Sequence, residues 1–265
     1  MSEAHKRVRV PDLKEKKRRG EKIAMLTAYD ATMARLLDAA DIDVILVGDS
    51  VGMVVLGYET TIPVTFDAIL HHTQAVSRGM SRALLVADMP FLSFQVSIPE
   101  AVRNAGRLLQ EGGAAAVKME GGKPMVETVR RLVDVGIPVM SHLGLTPQAV
   151  HRLGGFRRQA TAEDDAERLI EDALALQDAG SFAIVLEAIP AEVARRATKE
   201  LAIPTIGIGA GPHCDGQVLV THDILGLSSY APPFARRYAD LGEAMKKAAK
   251  EYADDVRQGR FPSQS

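Results

Sequence analysis

Cysteine is nearly absent from this chain, and so are long apolar segments. Cys214 is the one cysteine among 265 residues, so an intramolecular disulfide is excluded, which fits a reducing compartment. No run approaches the length of about 18 apolar residues that a membrane span needs. Residues 1–20 are polar and basic and lack the apolar centre of a secretory signal. We therefore expect a soluble, cytoplasmic protein with no membrane partner.

Charge of one sign is not in excess either. The chain has 32 basic and 34 acidic residues and a net charge of -2 at pH 7, so no broad positive field indicates a nucleic-acid partner. The basic segment 5–22 is compatible with a nucleic-acid arm, but Leu13 favours a helix that covers the base of the fold. We expect one domain over residues 1–265, with 1–22 as an N-terminal basic segment or helix and 261–265 as a frayed tail.

The hydrophobic residues, 46% of the chain, are arranged in short β-branched runs separated by helical patterns. Eight runs are typical of buried parallel strands: Ile23–Thr27, Val44–Gly48, Leu84–Ala87, Ala115–Met119, Pro138–Ser141, Ala183–Leu186, Thr205–Ile208 and Val218–Val220. Alternating strands and helices imply parallel pairing. Eight strands favour a closed (β/α)8 barrel, although a doubly wound open sheet has the same periodicity. Residues 209–217 are too few for a full helix between the last two strands.

Several helix boundaries are marked by capping residues. Ser97 with Glu100, and Thr161 with Asp164, have the spacing of a capping box. Further helix starts are predicted at Asp30, Thr65 and Pro124. Glycines at 112, 113 and 180 are placed to end helices.

Charged residues follow the predicted strands at the end where barrel enzymes carry their active sites. They are Asp49, Asp88, Glu120, His142 and Glu187, and Lys118 lies within the fourth predicted strand. Several acids at one rim would repel each other unless a cation lay between them. Magnesium suits such a site because it binds few carboxylates and keeps positions for water and substrate. No spacing of Cys and His favours zinc.

Three of these residues have a chemistry of their own. Lys118 supplies a fixed positive charge for an anionic substrate. Glu187 lies between Leu186 and Ala188, and an apolar setting suits a general base that works near neutrality. His142 is equally compatible with a structural role in the core.

The glycine run 207–211 is a poor dinucleotide motif, because it lies late in the chain and no full helix follows it.

Seven segments, taken in order, resemble the ketopantoate hydroxymethyltransferase family. They are residues 25–30 (MLTAYD), 47–50 (VGDS), 57–61 (GYETT), 86–90 (VADMP), 117–122 (VKMEGG), 142–148 (HLGLTPQ) and 207–211 (GIGAG). The likeness extends from about Val10 to Tyr238. It implies a (β/α)8 TIM barrel of the phosphoenolpyruvate/pyruvate-type group.

The resemblance also implies a reaction and its partners. A one-carbon unit would pass from the cosubstrate 5,10-methylenetetrahydrofolate to 3-methyl-2-oxobutanoate (α-ketoisovalerate). The product would be 2-dehydropantoate (ketopantoate), for pantothenate and coenzyme A biosynthesis. Family members commonly form large homo-oligomers, so a homo-oligomer, often a homodecamer, is expected.

By motif position, the resemblance implies a role for each residue at the strand ends. The implied magnesium ligands are Asp49, Asp88 and Glu120. The implied substrate-binding set is Asp49, Ser50, Asp88, Lys118 and His142. Glu187 is the implied catalytic acid or base. In the resulting hypothesis, loss of the proton beside the ketone gives an enolate that magnesium stabilises; Glu187 and a water molecule are both candidates to take that proton.

Two other functions fit parts of the sequence. An isocitrate-lyase-like carbon–carbon lyase would share the barrel, the metal and the enolate, but the Lys-Lys-Cys-Gly-His-type loop of that family is absent here. A non-enzymatic binding protein would need only the barrel and the basic N-terminal segment. The full set of charged residues at the strand ends argues against this second alternative.

Overall fold

The fold is a closed barrel of parallel strands. The computed structural model describes residues 7–228, 230 and 232–262, and within them eight strands pair in sequence order around the barrel. They are β1 (Ile23–Thr27), β2 (Val44–Val47), β3 (Leu84–Asp88), β4 (Ala116–Glu120), β5 (Val139–Gly144), β6 (Ala183–Glu187), β7 (Thr205–Ile208) and β8 (Gly216–Leu219). The predicted barrel is confirmed, and the doubly wound alternative is wrong. Strand β8 begins earlier than the predicted run.

Helices form most strand-to-strand connections, and others precede the first strand and follow the last. They are α1 (Val10–Arg19), α2 (Ala31–Ala39), α3 (Val51–Val54), α4 (Phe66–Ser77), α5 (Ile98–Gln110), α6 (Val126–Asp134), α7 (Val150–Leu153), α8 (Glu163–Asp178), α9 (Ala191–Glu200), α10 (Thr221–Ile224) and α11 (Leu241–Arg257). Residues 209–215 join β7 to β8 without a helix, as predicted. Among the described residues, no helix has both the length and the apolar character to cross a membrane.

Most predicted helix starts are confirmed by hydrogen bonds at the caps. Asp30 Oδ1 accepts from the backbone N–H groups of Thr32 and Met33, both at 2.8 Å, at the start of α2. Ser97 Oγ accepts from Glu100 N at 3.3 Å at the start of α5. These side chains satisfy backbone donors that have no partner within the helix.

The capping box predicted at Thr161 is wrong. Helix α8 begins at Glu163, its cap position is Ala162, and no side chain caps it. Its first turn instead carries Glu163, Asp164 and Asp165. Acidic side chains interact favourably with the positive end of the helix dipole, so this helix start is stabilised by charge rather than by a threonine hydroxyl.

In strands β2 to β6, apolar residues on the two faces belong to two different apolar clusters. In β2, Val44 and Leu46 belong to a cluster of strand residues that also contains Leu13 of α1. Ile45 and Val47 belong to the larger cluster that includes apolar residues of the surrounding helices. Because successive side chains of a strand point to opposite faces, both faces are apolar. This burial explains why the strands read as continuous β-branched runs.

Helix α1 lies at the amino ends of the strands. Leu13 is fully buried in the strand cluster. Lys16 Nζ lies 2.7 Å from Asp43 Oδ1, and Lys17 Nζ lies 2.9 Å from Asp215 Oδ2. These lysines of the basic segment are therefore paired within the chain itself. Residues 1–6 of that segment, and residues 263–265 of the predicted frayed tail, lie outside the described residues.

The chain divides into two compact units between Val218 and Leu219. In the second unit, Tyr238 N donates to Ile224 O at 2.7 Å. Helix α11 follows, and none of its residues, all of which are described, is buried. The expectation of one domain over residues 1–265 stays a prediction.

Candidate active site

Parallel pairing brings the predicted site residues to one end of the barrel. Asp88 and Glu120 are the last residues of β3 and β4. The strand register places Asp88 beside Lys118, and Glu120 beside His142. Since the carboxyl ends of all eight strands lie on the same side of a parallel barrel, residues that are far apart in sequence form one cluster.

Three carboxylates lie buried in this cluster. Asp49, Asp88 and Glu120 are 5%, 1% and 6% exposed, and Asp49 N donates to Asp88 Oδ2 at 3.2 Å. Burial raises the pKa of Asp49 well above its usual value, and the neighbouring Asp88 and Glu120 carboxylates raise it further. Burial also raises the pKa of Asp88, although the Lys118 ammonium partly opposes this rise. The cluster therefore holds unfavourable negative charge that a cation would relieve.

Lys118 is the fixed positive charge of the cluster. Its Nζ lies 2.7 Å from Asp88 Oδ1. Burial on its own would lower the pKa of Lys118, but Asp88, Glu120 and Asp49 outweigh burial and raise it. The side chain is thus a permanent ammonium ion among carboxylates.

His142 lies between two glutamates. Its Nε2 is 3.2 Å from Glu187 Oε2, and its Nδ1 is 3.6 Å from Glu120 Oε1. Burial and the nearby Lys118 lower the pKa of His142, but the two glutamates outweigh them and raise it to about 9. The imidazole is therefore protonated at neutral pH, which gives the cluster a second positive group.

Ser50 is held beside the cluster by a tight turn after β2. Its Oγ lies 2.8 Å from the Tyr29 hydroxyl. A Cβ atom at position 48 would lie 2.9 Å from Ser50 Oγ, and one at position 52 would lie 2.5 Å from a methyl group of Val64. Glycine at positions 48 and 52 therefore leaves room for the side chains of Ser50 and Val64.

The sequence prediction gave no role to Gln148, which is central to the cluster. Its backbone N donates to Glu120 Oε2 at 3.1 Å, and its side-chain Nε2 donates to Asp49 Oδ2 at 3.0 Å. Tyr29, the partner of Ser50, was not assigned a role either. Both residues lie in segments that carry the family resemblance, and Gln148 closely follows β5. The position of Gln148 shortly after a strand was the sequence feature that could have indicated a functional role.

The buried acids present carboxylate oxygens of the type that magnesium binds. Among the described residues, no group of three His, Cys, Asp or Glu side chains is arranged to hold a metal ion. Asp49 and Asp88 nevertheless adjoin each other, and no described residue donates a hydrogen bond to the buried Glu120 Oε1. Magnesium commonly binds through one or two carboxylates together with water and substrate. The oxygen donors therefore fit the ion, while the individual ligand roles stay a prediction.

Comparison with known proteins identifies relatives along nearly the whole chain. The family model described as ketopantoate hydroxymethyltransferase matches residues 7–264. A 3-methyl-2-oxobutanoate hydroxymethyltransferase of Moorella thermoacetica is 59% identical over 259 residues, which cover 97% of this chain and 96% of that protein. The protein of the same name from Geobacter sulfurreducens is 55% identical over 254 residues, covering 96% of this chain and 95% of that protein.

Solved structures with the same fold are more distant in sequence. Phosphonopyruvate hydrolase, in a complex with oxalate and magnesium, has a TM-score of 0.64 at 12% identity and covers 95% of this chain and 88% of its own. The 2,3-dimethylmalate lyase, a member of the PEP mutase/isocitrate lyase superfamily, has a TM-score of 0.61 at 16% identity, with 97% and 87% covered. At these identities the likeness concerns the fold.

Barrel and site together define an α/β-barrel protein with charged residues at the carboxyl ends of its strands. The predicted (β/α)8 barrel and the predicted family are both confirmed, and the phosphoenolpyruvate/pyruvate-type group stays a prediction. The chain belongs to the ketopantoate hydroxymethyltransferase family. It is therefore a hydroxymethyltransferase, and the alternative of a non-enzymatic binding protein is wrong.

Proposed function

We propose that the enzyme transfers a hydroxymethyl group from 5,10-methylenetetrahydrofolate to 3-methyl-2-oxobutanoate, giving 2-dehydropantoate for pantothenate and coenzyme A biosynthesis. The relatives at 53–59% identity carry the name of this activity. The observation that carries the proposal is the buried cluster in which Lys118 and His142 lie among carboxylates. Such a site offers positive charge to a small 2-oxo acid and basic oxygens to its acidic C–H bond.

The carboxylate of the oxo acid is bound by the positive groups. Lys118 and His142 are both cationic at neutral pH, and Ser50 adds a hydroxyl. Charge-assisted hydrogen bonds of this kind are stronger than neutral ones. They hold the substrate in one orientation, which converts a loose encounter into a positioned reaction.

Magnesium is the proposed cofactor. Asp49 and Asp88 would hold it, with Glu120 acting directly or through water. When bound, the ion supplies Lewis-acid stabilisation of negative charge that develops on the keto oxygen. Lys118 would remain beside Asp88 and limit the net negative charge of the site.

Glu187 is the proposed base for the C–H proton. Its carboxylate is 17% exposed, in contrast to the buried acids, and lies 3.2 Å from His142 Nε2. His142 orients this carboxylate toward the bound oxo acid. The proton on the carbon beside the ketone passes to Glu187. That carbon then bonds to the methylene group of the folate while one methylene–nitrogen bond breaks and the released nitrogen takes up the proton. Water then displaces the second nitrogen from the methylene group, its hydroxyl staying on carbon and its proton passing to nitrogen, which gives the hydroxymethyl product and tetrahydrofolate. A positioned base typically contributes about 10²–10⁴-fold to such a step.

An assay of the purified protein tests this function. We expect 2-dehydropantoate from 3-methyl-2-oxobutanoate and 5,10-methylenetetrahydrofolate, loss of product with a chelator, and no cleavage of isocitrate. Asp88→Asn should raise the magnesium concentration that half-maximal rate requires. Asp67→Asn, at a side chain that is 86% exposed on α4, is the matched control. An unaltered magnesium requirement in Asp88→Asn would refute the ligand assignment, and isocitrate cleavage would restore the lyase alternative.

We also propose that the enzyme is a cytoplasmic homo-oligomer, with a homodecamer as the expected size, and that it has no nucleic-acid or membrane partner. Met245 and Tyr252 of α11 are 63% and 59% exposed. Their spacing puts them on one face of the helix, and exposed apolar faces commonly mark interaction sites. Light scattering should give a mass at least twice the 28.5 kDa of one chain; the mass of a single chain would exclude this assembly.

A further inference from the structure

Gln148 is a buried glutamine with hydrogen bonds at every side-chain polar atom. It lies in the turn Pro147–Ala149 after β5 and is 5% exposed. Its Nε2 donates to Asp49 Oδ2 at 3.0 Å and to Met89 O at 2.9 Å. Its Oε1 accepts from Gln95 Nε2 at 3.2 Å. Since two acceptors face the nitrogen and a donor faces the oxygen, these partners fix the orientation of the amide.

This residue joins two acids that come from different strands. Besides the side-chain bond to Asp49, the backbone N of Gln148 donates to Glu120 Oε2 at 3.1 Å. One oxygen of each carboxylate is thereby held. The other oxygen of Glu120 receives no hydrogen bond from a described residue. Gln148 therefore constrains how both carboxylates are presented to a ligand.

The chemical type of this donor matters. A lysine at this position would neutralise Asp49, and a glutamate would repel it. A neutral amide stabilises the Asp49 carboxylate through a hydrogen bond and leaves its negative charge available. In metal sites, outer partners that orient ligating side chains affect affinity strongly.

We propose that Gln148 is a positioning residue that orients the carboxylates of Asp49 and Glu120 for a divalent cation. The inference rests on the proposed function, because that function assigns the cation to this cluster. Gln148 is not a catalytic residue: it acts through the two acids that it holds.

Direct cation binding tests the role. Gln148→Met keeps the length of the side chain and removes its hydrogen bonds to Asp49 and Met89. We expect the folded variant to bind Mn²⁺, measured by electron paramagnetic resonance, about 10–100-fold more weakly than the unaltered protein. Gln74→Met is the matched control, because Gln74 donates to a backbone oxygen, Glu111 O, on the outside of the barrel. Its Mn²⁺ affinity should be unchanged.

A second variant with a milder change separates loss of these hydrogen bonds from misfolding. Gln148→Asn retains an amide that is too short to reach both acceptors, and it should weaken Mn²⁺ binding to a smaller extent. Circular dichroism establishes that each variant is folded. Unaltered Mn²⁺ affinity in a folded Gln148→Met protein would overturn the inference. So would failure of both variants to fold, which would assign Gln148 a purely structural role, or absence of Mn²⁺ binding in the unaltered protein.

The same preparations separate this inference from the proposed function. Turnover of 3-methyl-2-oxobutanoate by the unaltered protein tests the function, and its absence counts against that function. Equal Mn²⁺ affinity in the unaltered and Gln148→Met proteins counts against the role of Gln148 alone.

Discussion

Neighbouring charges decide what each polar residue of the site can do. His142 illustrates this at the residue scale, because its sequence context fits a structural histidine as well as a functional one. In the fold its two ring nitrogens face Glu120 and Glu187, and these partners make it a cation. No pattern around His142 in the sequence contains that information, since the partners lie at the ends of other strands.

The titration of His142 is the first prediction. Its pKa is raised from 6.5 to about 9, so a nuclear magnetic resonance titration should place its ring near pH 9. The resonance is assigned by its loss in His142→Gln. Because the folded-state pKa lies above the unfolded value, the stabilisation from this group is complete below pH 6.5 and is lost as pH rises through about 9. A midpoint at or below 6.5 would contradict the charged state proposed here.

Gln148 marks the limit of prediction from sequence at this scale. The strand-end acids were found because barrel enzymes place functional groups there. Gln148 lies beyond the strand end in a turn, and its role depends on hydrogen bonds to four partners on separate parts of the chain. Hydrogen bonds between distant segments depend on the folded backbone, so residue patterns alone do not reveal them.

At the scale of single elements, residue types predicted the strands well and the helix caps less well. The β-branched runs located the strands because both strand faces are buried. A side chain caps a helix only if its residue lies where the backbone enters the helical conformation. A shift of the helix start by one residue therefore removes its capping role. Asp30 is a true cap, whereas Thr161 is not, although both have suitable side chains.

This difference gives a paired prediction. Asp30→Ala removes the acceptor of two backbone donors and should lower the free energy of unfolding by about 1 kcal/mol. Thr161→Ala should change it by less than about 0.5 kcal/mol, as for an ordinary surface substitution. Urea denaturation measures both. Equal losses in the two variants would show that the assigned start of α8 is wrong.

A second pair concerns the end of β5. Gly144 has a φ of +93°, and an added Cβ would lie 2.2 Å from Glu187 O. Gly136 has a similar φ of +88° but no atom within 4 Å of that position. Gly136→Ala therefore reports backbone strain alone. Gly144→Ala adds a clash beside the proposed base.

We expect Gly144→Ala to destabilise the protein by about 1–3 kcal/mol more than Gly136→Ala, as is typical of overpacked sites. It should also reduce the catalytic rate, because the carbonyl of Glu187 must move. Denaturant unfolding and steady-state kinetics of the two variants measure these effects. If both variants lose stability and activity equally, the close approach of β5 and β6 has no special role.

At the scale of the whole molecule, barrel closure creates the site. The acids, Lys118 and His142 come from strands β2 to β5 and the following turns, and Glu187 ends β6. Their assembly was predictable in outline, because strand count, length and the ordered family segments all indicated one barrel. The ion pairs and the protonation states were not predictable from the sequence, because they depend on interatomic distances that are defined only in the closed barrel.

The central claim is that these groups act together to remove a proton from a 2-oxo acid. Its most direct test is deuterium exchange from D₂O into the carbon beside the ketone of 3-methyl-2-oxobutanoate, followed by proton magnetic resonance without the folate. We predict exchange that requires magnesium and is slowed about 100-fold or more by Glu187→Gln. Glu192→Gln, on the exposed surface of α9, should leave it unchanged. Equal exchange with and without magnesium, or an undiminished rate in Glu187→Gln, would contradict the account.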